Sequence, residues 1–78
     1  MTDQDIIKTL GGVNAVARLL GVRPPSVSNW LKRGIPDSRL REMGAQIEIK
    51  SGGAFSRKER WPENYAIYWP ELAENQGA

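Results

Sequence analysis

The sequence predicts an all-α fold of four to five short helices, on three observations. Apolar residues recur at helical spacing in successive stretches, as in Val13, Val16, Ala17 and Leu20, which fall at i, i+3, i+4 and i+7. Glycines close these stretches at Gly11-Gly12, Gly21 and Gly34, the residue type favoured just past a helix end. Prolines stand at Pro24 and Pro36, where a helix can begin but cannot continue.

The elements follow in order. Residues 3–10 form a first helix, capped by Thr2 or Asp3, with Ile6, Ile7 and Leu10 as its apolar face. Residues 13–20 form a second. The third starts near Pro24 and runs to Arg33, burying Val27, Trp30 and Leu31; Trp30 is expected in the core. The fourth begins near Asp37, with Leu40, Met43 and Ile47 at helical spacing, and is expected to reach about Lys50. Its far end has a rival: Gln46 to Lys50 alternates like a strand, and Ser51-Gly52-Gly53 could turn a small β-hairpin over 46–56. Ser56-Arg57-Lys58-Glu59 has the form of a capping box. Tyr65 to Leu72 is expected as an irregular C-terminal arm, and Glu74 to Ala78 as disordered. The organisation is a domain over 1–53 and an arm over 54–78 packed on the same domain.

Composition removes several functions. There is no Cys and no His in the 78 residues, so Ser-His and Cys-His chemistry is absent and structural zinc is excluded. Neither glycine pair has the form of a phosphate-binding loop. No enzyme activity, cofactor, metal or small-molecule substrate is expected. No apolar run approaches the ~18–20 residues that span a membrane, and Met1 to Asp5 lacks a basic leader; a cytoplasmic protein is expected. So short a chain buries a thin core and has no disulfide to reinforce it, which makes a partner subunit plausible.

Charge is unevenly placed. Residues 1–34 carry five cations (Lys8, Arg18, Arg23, Lys32, Arg33) and two acids, whereas 61–78 carry three Glu and no Lys or Arg. A basic front half suits an anionic partner such as nucleic acid. Arg39, Arg41, Arg57, Lys58 and Arg60 read as solvated. Trp61, Tyr65, Tyr68 and Trp69 read as a cover for the chain's own core, with a dimer surface as the alternative.

Across Val13 to Lys32 the fourth, eighth, tenth, fifteenth and eighteenth residues are Val16, Leu20, Val22, Val27 and Trp30, all apolar; the fifth is Ala17 and the ninth Gly21. That is the helix-turn-helix pattern. A small residue at Ala17 lets two helices cross closely, and Gly21 permits the left-handed backbone of the sharp turn. The residues the core does not need are then candidates for DNA. Asn29 can pair with adenine through its amide, Ser28 and Ser26 can meet base edges, and Pro25 can touch a thymine methyl. Arg23 can take guanine or phosphate. Lys32 and Arg33 at the helix end, with Arg18, suit phosphates. Asn14, at the start of the second helix, can bind a phosphate with that helix's N-terminus.

The runs Gly12 to Val22, Val27 to Trp30 and Arg33 to Pro36 resemble the Cro-type repressors of lambdoid phages, and resemble most the YdaS-like regulators of bacteria and prophages. Ile47-Glu48, Gly52-Gly53 and Trp69 to Leu72 extend the likeness over nearly the whole chain. The resemblance implies a lambda-repressor-like helix-turn-helix domain. It also implies a repressor that binds double-stranded operator DNA as a homodimer, with base contacts from Pro25, Ser28, Asn29 and Lys32. Pro24-Pro25 stands where such proteins more often carry polar residues. The alternative is a helix-turn-helix scaffold that binds protein, in the manner of an antitoxin-like partner.

Overall fold

The computed structural model describes residues 1–77, with side chains through Ala73. Seven helices follow one another among the described residues: α1 (Asp3–Thr9), α2 (Val13–Leu20), α3 (Pro24–Arg33), α4 (Asp37–Lys50), α5 (Arg57–Arg60), α6 (Tyr65–Tyr68) and α7 (Pro70–Gly77). The fold is all-helical, and the alternative hairpin over 46–56 is not formed. Lys50 ends α4 in helical backbone, and Ser51 caps it through N–H donation to the Ile47 carbonyl. The alternation that suggested a strand resolves as a helix surface: Ile47 is fully buried and Ile49 is 79% exposed.

Local chemistry sets the boundaries. Thr2 and Asp5 close α1 as a reciprocal capping box, which satisfies two N–H groups that the helix start would leave unbonded. Gly21 ends α2 at φ 69°, ψ 31°. A Cβ at Gly21 would meet no atom within 4 Å, so the glycine is required by backbone conformation rather than by space. Gly34 ends α3 at φ 96°, and a Cβ there would also crowd Asp3 Oδ2 at 3.1 Å. That Asp3 oxygen accepts the Ile35 N–H at 3.0 Å, pinning the start of α1 to the link between α3 and α4.

The core gathers Ile6, Ile7 and Leu10 of the α1 region, Val16 and Ala17 of α2, Val27 of α3 and Leu40, Met43 and Ile47 of α4, joined by Phe55 and Trp61. Trp30 is half-buried and lies against this cluster rather than within it. A three-turn helix crossing a small core leaves its C-terminal aromatic at the rim.

Two further expectations are corrected after residue 50. Ser56 precedes α5, but its side chain makes no capping bond; the first N–H of α5, that of Arg57, donates to Glu48 Oε1 at 2.8 Å. The arm is helical rather than irregular, because α6 and α7 each form a turn or more on either side of Trp69. The backbone of α7 is helical to Gly77; the expectation of disorder over Glu74 to Ala78 falls on residues whose side chains, with all of Ala78, lie outside the described ones.

The arm is held by rings. Trp61, 6% exposed, stands edge-on to Phe55 and Tyr68 at 6.0 and 6.4 Å and tilted against Trp69 at 5.2 Å. Its indole N–H donates to Asp37 Oδ1 at 3.1 Å, tying the arm to the start of α4. Gly44 leaves room on α4 for the Trp69 ring, where an added Cβ would sit 3.1 Å from a ring carbon.

Candidate nucleic-acid interface

The α2–α3 pair builds the candidate surface. Ala17 and Val27 are buried between and beneath the two helices, with Val13, Leu20, Val22 and Trp30 packed alongside. These residues occupy one side of α3. At about 100° per residue, Pro25, Ser28, Asn29 and Lys32 fall within about 100° of arc on the opposite side. All four are exposed. Ser26 and Arg33 lie on the flank of that arc and are exposed as well. Arg23, in extended backbone at φ −82°, ψ 145°, is the N-cap of α3 and is exposed. Asn14 and Arg18 lie one turn apart on the exposed side of α2. The structure therefore groups the four central α3 residues on one face, while Asn14 and Arg18 belong to the neighbouring helix.

The start of α3 is chemically unusual. Its first two positions are Pro24 and Pro25, which have no backbone N–H. The next N–H, that of Ser26, donates to the Arg23 carbonyl at 3.0 Å. The helix therefore offers little backbone hydrogen bonding at its leading end. The start of α2 differs: Gly12 caps it without any side-chain bond, so its first-turn N–H groups have no side-chain acceptor.

Electrostatics divide the chain. The side chains of Lys8, Arg18, Arg23, Lys32, Arg33 and Lys50 make no hydrogen bond, ion pair or ring contact among the described residues. The cations from 39 to 60, Lys50 apart, are engaged. Arg39 pairs with Glu42 at 3.1 Å, and Arg60 with Asp37 at 3.3 Å. Arg57 pairs with Glu48 at 3.2 Å and lies over the Trp69 ring at 5.3 Å. Arg41 Nε is 3.2 Å from Asp37 Oδ2 without hydrogen-bond geometry, and its guanidinium lies 4.4 Å from the Tyr68 ring centre. Lys58 lies over Tyr65 at 5.8 Å. The expectation that these residues are simply solvated is corrected most sharply at Arg57, whose side chain is only 14% exposed. The backbone N–H of Arg57, with its guanidinium, holds the Glu48 carboxyl below the usual glutamate range, against the opposing effect of burial.

Two further residues escaped the sequence reading. Lys50 shares a shallow groove of about 200 Å³ with Arg18, Gln46 and the apolar Leu10, Ala15 and Leu19. Nothing in sequence distinguishes Lys50 from an ordinary cation in a last helical turn. Asp3, read as a cap, instead serves the distant Ile35 N–H; a contact across 32 residues carries no local signal.

Among the described residues no group of side chains could hold a metal ion, and no helix is long and apolar enough to cross a membrane. Residues 2–65 match the family model of the DNA-binding transcriptional regulator Cro. The chain is also similar to the Escherichia coli protein YdaS, which carries the name of a proposed transcriptional regulator. The two are 56% identical over 32 residues, 38% of this chain and 33% of that protein. The match thus spans about a third of that relative's length. No solved structure matches. The helix-turn-helix pair carries an exposed polar face and unpaired cations, and the family match extends from α1 into the start of α6; the chain belongs to the Cro family of DNA-binding transcriptional regulators.

Proposed function

We propose that α3 enters the major groove of operator DNA, and that the protein binds there as a homodimer and represses transcription. Pro25, Ser28, Asn29 and Lys32 face the base edges, with Arg23 and Ser26 at the leading end of the helix. Asn14, Arg18 and Arg33 hold phosphates and set the register. An α-helix fits this groove, and its N-terminal residues reach the bases in proteins of this architecture. The segment 54–78 belongs to the same folded unit and steadies the scaffold through Phe55 and Trp61.

The observation that carries the reading is the division of the cations. Four of the six unengaged ones, Arg18, Arg23, Lys32 and Arg33, lie on or beside the helix-turn-helix pair, and the engaged ones all lie in the 39–60 segment. An unpaired guanidinium or ammonium beside a polar helix face is free to displace counterions from a phosphate backbone. A salt series of DNA binding tests this. Affinity should fall steeply and log-linearly with salt, with a slope near the number of phosphates neutralised. Weak DNA binding at every salt would instead point to a scaffold that binds protein.

A further inference from the structure

We propose that Pro25 makes the leading end of the reading face a methyl sensor, which selects a thymine, or a 5-methylcytosine in its place, in each half-site. This rests on the insertion of α3 proposed above and adds the chemical class of base read at that end.

The reading face of α3 is polar at three of its four central positions, Ser28, Asn29 and Lys32. Pro25 is the exception, and it lies at the end where a recognition helix comes nearest the bases. It is exposed, so its ring is not consumed by the core. It has no N–H, its neighbour Pro24 has none, and the Ser26 N–H is already given to the Arg23 carbonyl. At Pro25 itself the helix presents hydrocarbon and no free backbone donor. Hydrocarbon pressed on a cytosine amino group or a guanine oxygen would strip water from a polar group and leave it unbonded, at a cost. The major groove offers one apolar group on a base, the C5 methyl of thymine. A cytosine methylated at C5 presents the same group in the same place.

The position of the methyl follows from helix geometry. Pro25 and Asn29 are four residues apart, about 6 Å along the axis, which spans at most about two base-pair steps of 3.4 Å and fewer where the helix lies oblique to the duplex. A half-site should therefore carry a thymine within about two steps of the adenine that Asn29 meets.

The test uses the full chain and its own best site, obtained by selection from random DNA. Each thymine is replaced singly by deoxyuridine, which deletes the methyl and nothing else. One replacement per half-site should weaken binding about fourfold, the effect of one buried methyl, and cytosine at that place should be rescued by 5-methylcytosine. In Pro25→Ser the same replacement should change affinity less than about twofold. Deoxyuridine tolerated at every thymine, with site-selective and salt-steep binding intact, would overturn the methyl sensor and leave the insertion of α3 standing. Undiminished methyl dependence in Pro25→Ser would remove Pro25 from the role. Absence of any site-selective binding would sink both.

Discussion

At the scale of single residues, the outward and inward sides of α3 have different consequences when altered. Asn29 is exposed and its side chain makes no bond among the described residues, so Asn29→Ala should leave folding intact. It should cost about 1–3 kcal/mol of binding on the selected site and relax discrimination at one base pair. Equal loss on random DNA, measured by competition, would remove that role. Lys32→Ala should weaken all sequences alike and lower the salt slope by about one; titrations at four or more salt concentrations would show it. Gly21 lies at φ 69° with open space around its Cα, so Gly21→Ala meets only the backbone penalty. Denaturant unfolding should show a loss of about 1–2 kcal/mol, a sizeable share of a small domain's stability.

At the scale of elements, α4 is the post to which the others are fastened. Its first residue, Asp37, meets Arg41, Arg60 and the Trp61 indole, and near its end Glu48 holds both the backbone and the side chain of Arg57. The Asp37 pairs are about half-exposed and contribute little individually. The Glu48 contact has a pH consequence. Its carboxyl titrates lower in the folded chain than in the unfolded one, so its stabilisation is complete above about pH 4.5 and is lost as pH falls below that. The stability difference between the native chain and Glu48→Gln should therefore shrink from pH 6 to pH 3 in urea titrations. A difference constant across that range would show that the contact does not depend on charge. Capping-box spacing at Ser56 predicted a helix start, and α5 does start there. The capping bond itself is absent, and the start of α5 is held by the carboxylate of Glu48, nine residues away, which accepts the Arg57 N–H.

At the scale of the whole molecule, charge and shape are divided along the chain. Four of the six unengaged cations lie on or beside α2 and α3, while the later cations, Lys50 apart, are folded onto acids and rings. The front half thus leaves its cations open, which suits the anionic polymer proposed above, while the back half holds itself together. A homodimer on a palindromic site should protect two half-sites about 34–36 Å apart on one face of the duplex. Hydroxyl-radical footprinting that shows one half-site alone would argue for binding as a monomer.

The helices up to residue 50 were readable from spacing, because periodicity, glycine stops and proline starts are properties of neighbouring residues. The same holds for the face formed by Pro25, Ser28, Asn29 and Lys32, since four positions on one helix are related by helical geometry alone. Other features were settled by folding. Trp30 moved from core to rim, Arg57 moved from solvent into a cage of Glu48 and Trp69, the arm coiled into α6 and α7, and Asp3 reached Ile35. Each of these depends on which distant groups meet. A carboxylate or a ring selects its partner by three-dimensional proximity, which no short stretch of sequence encodes.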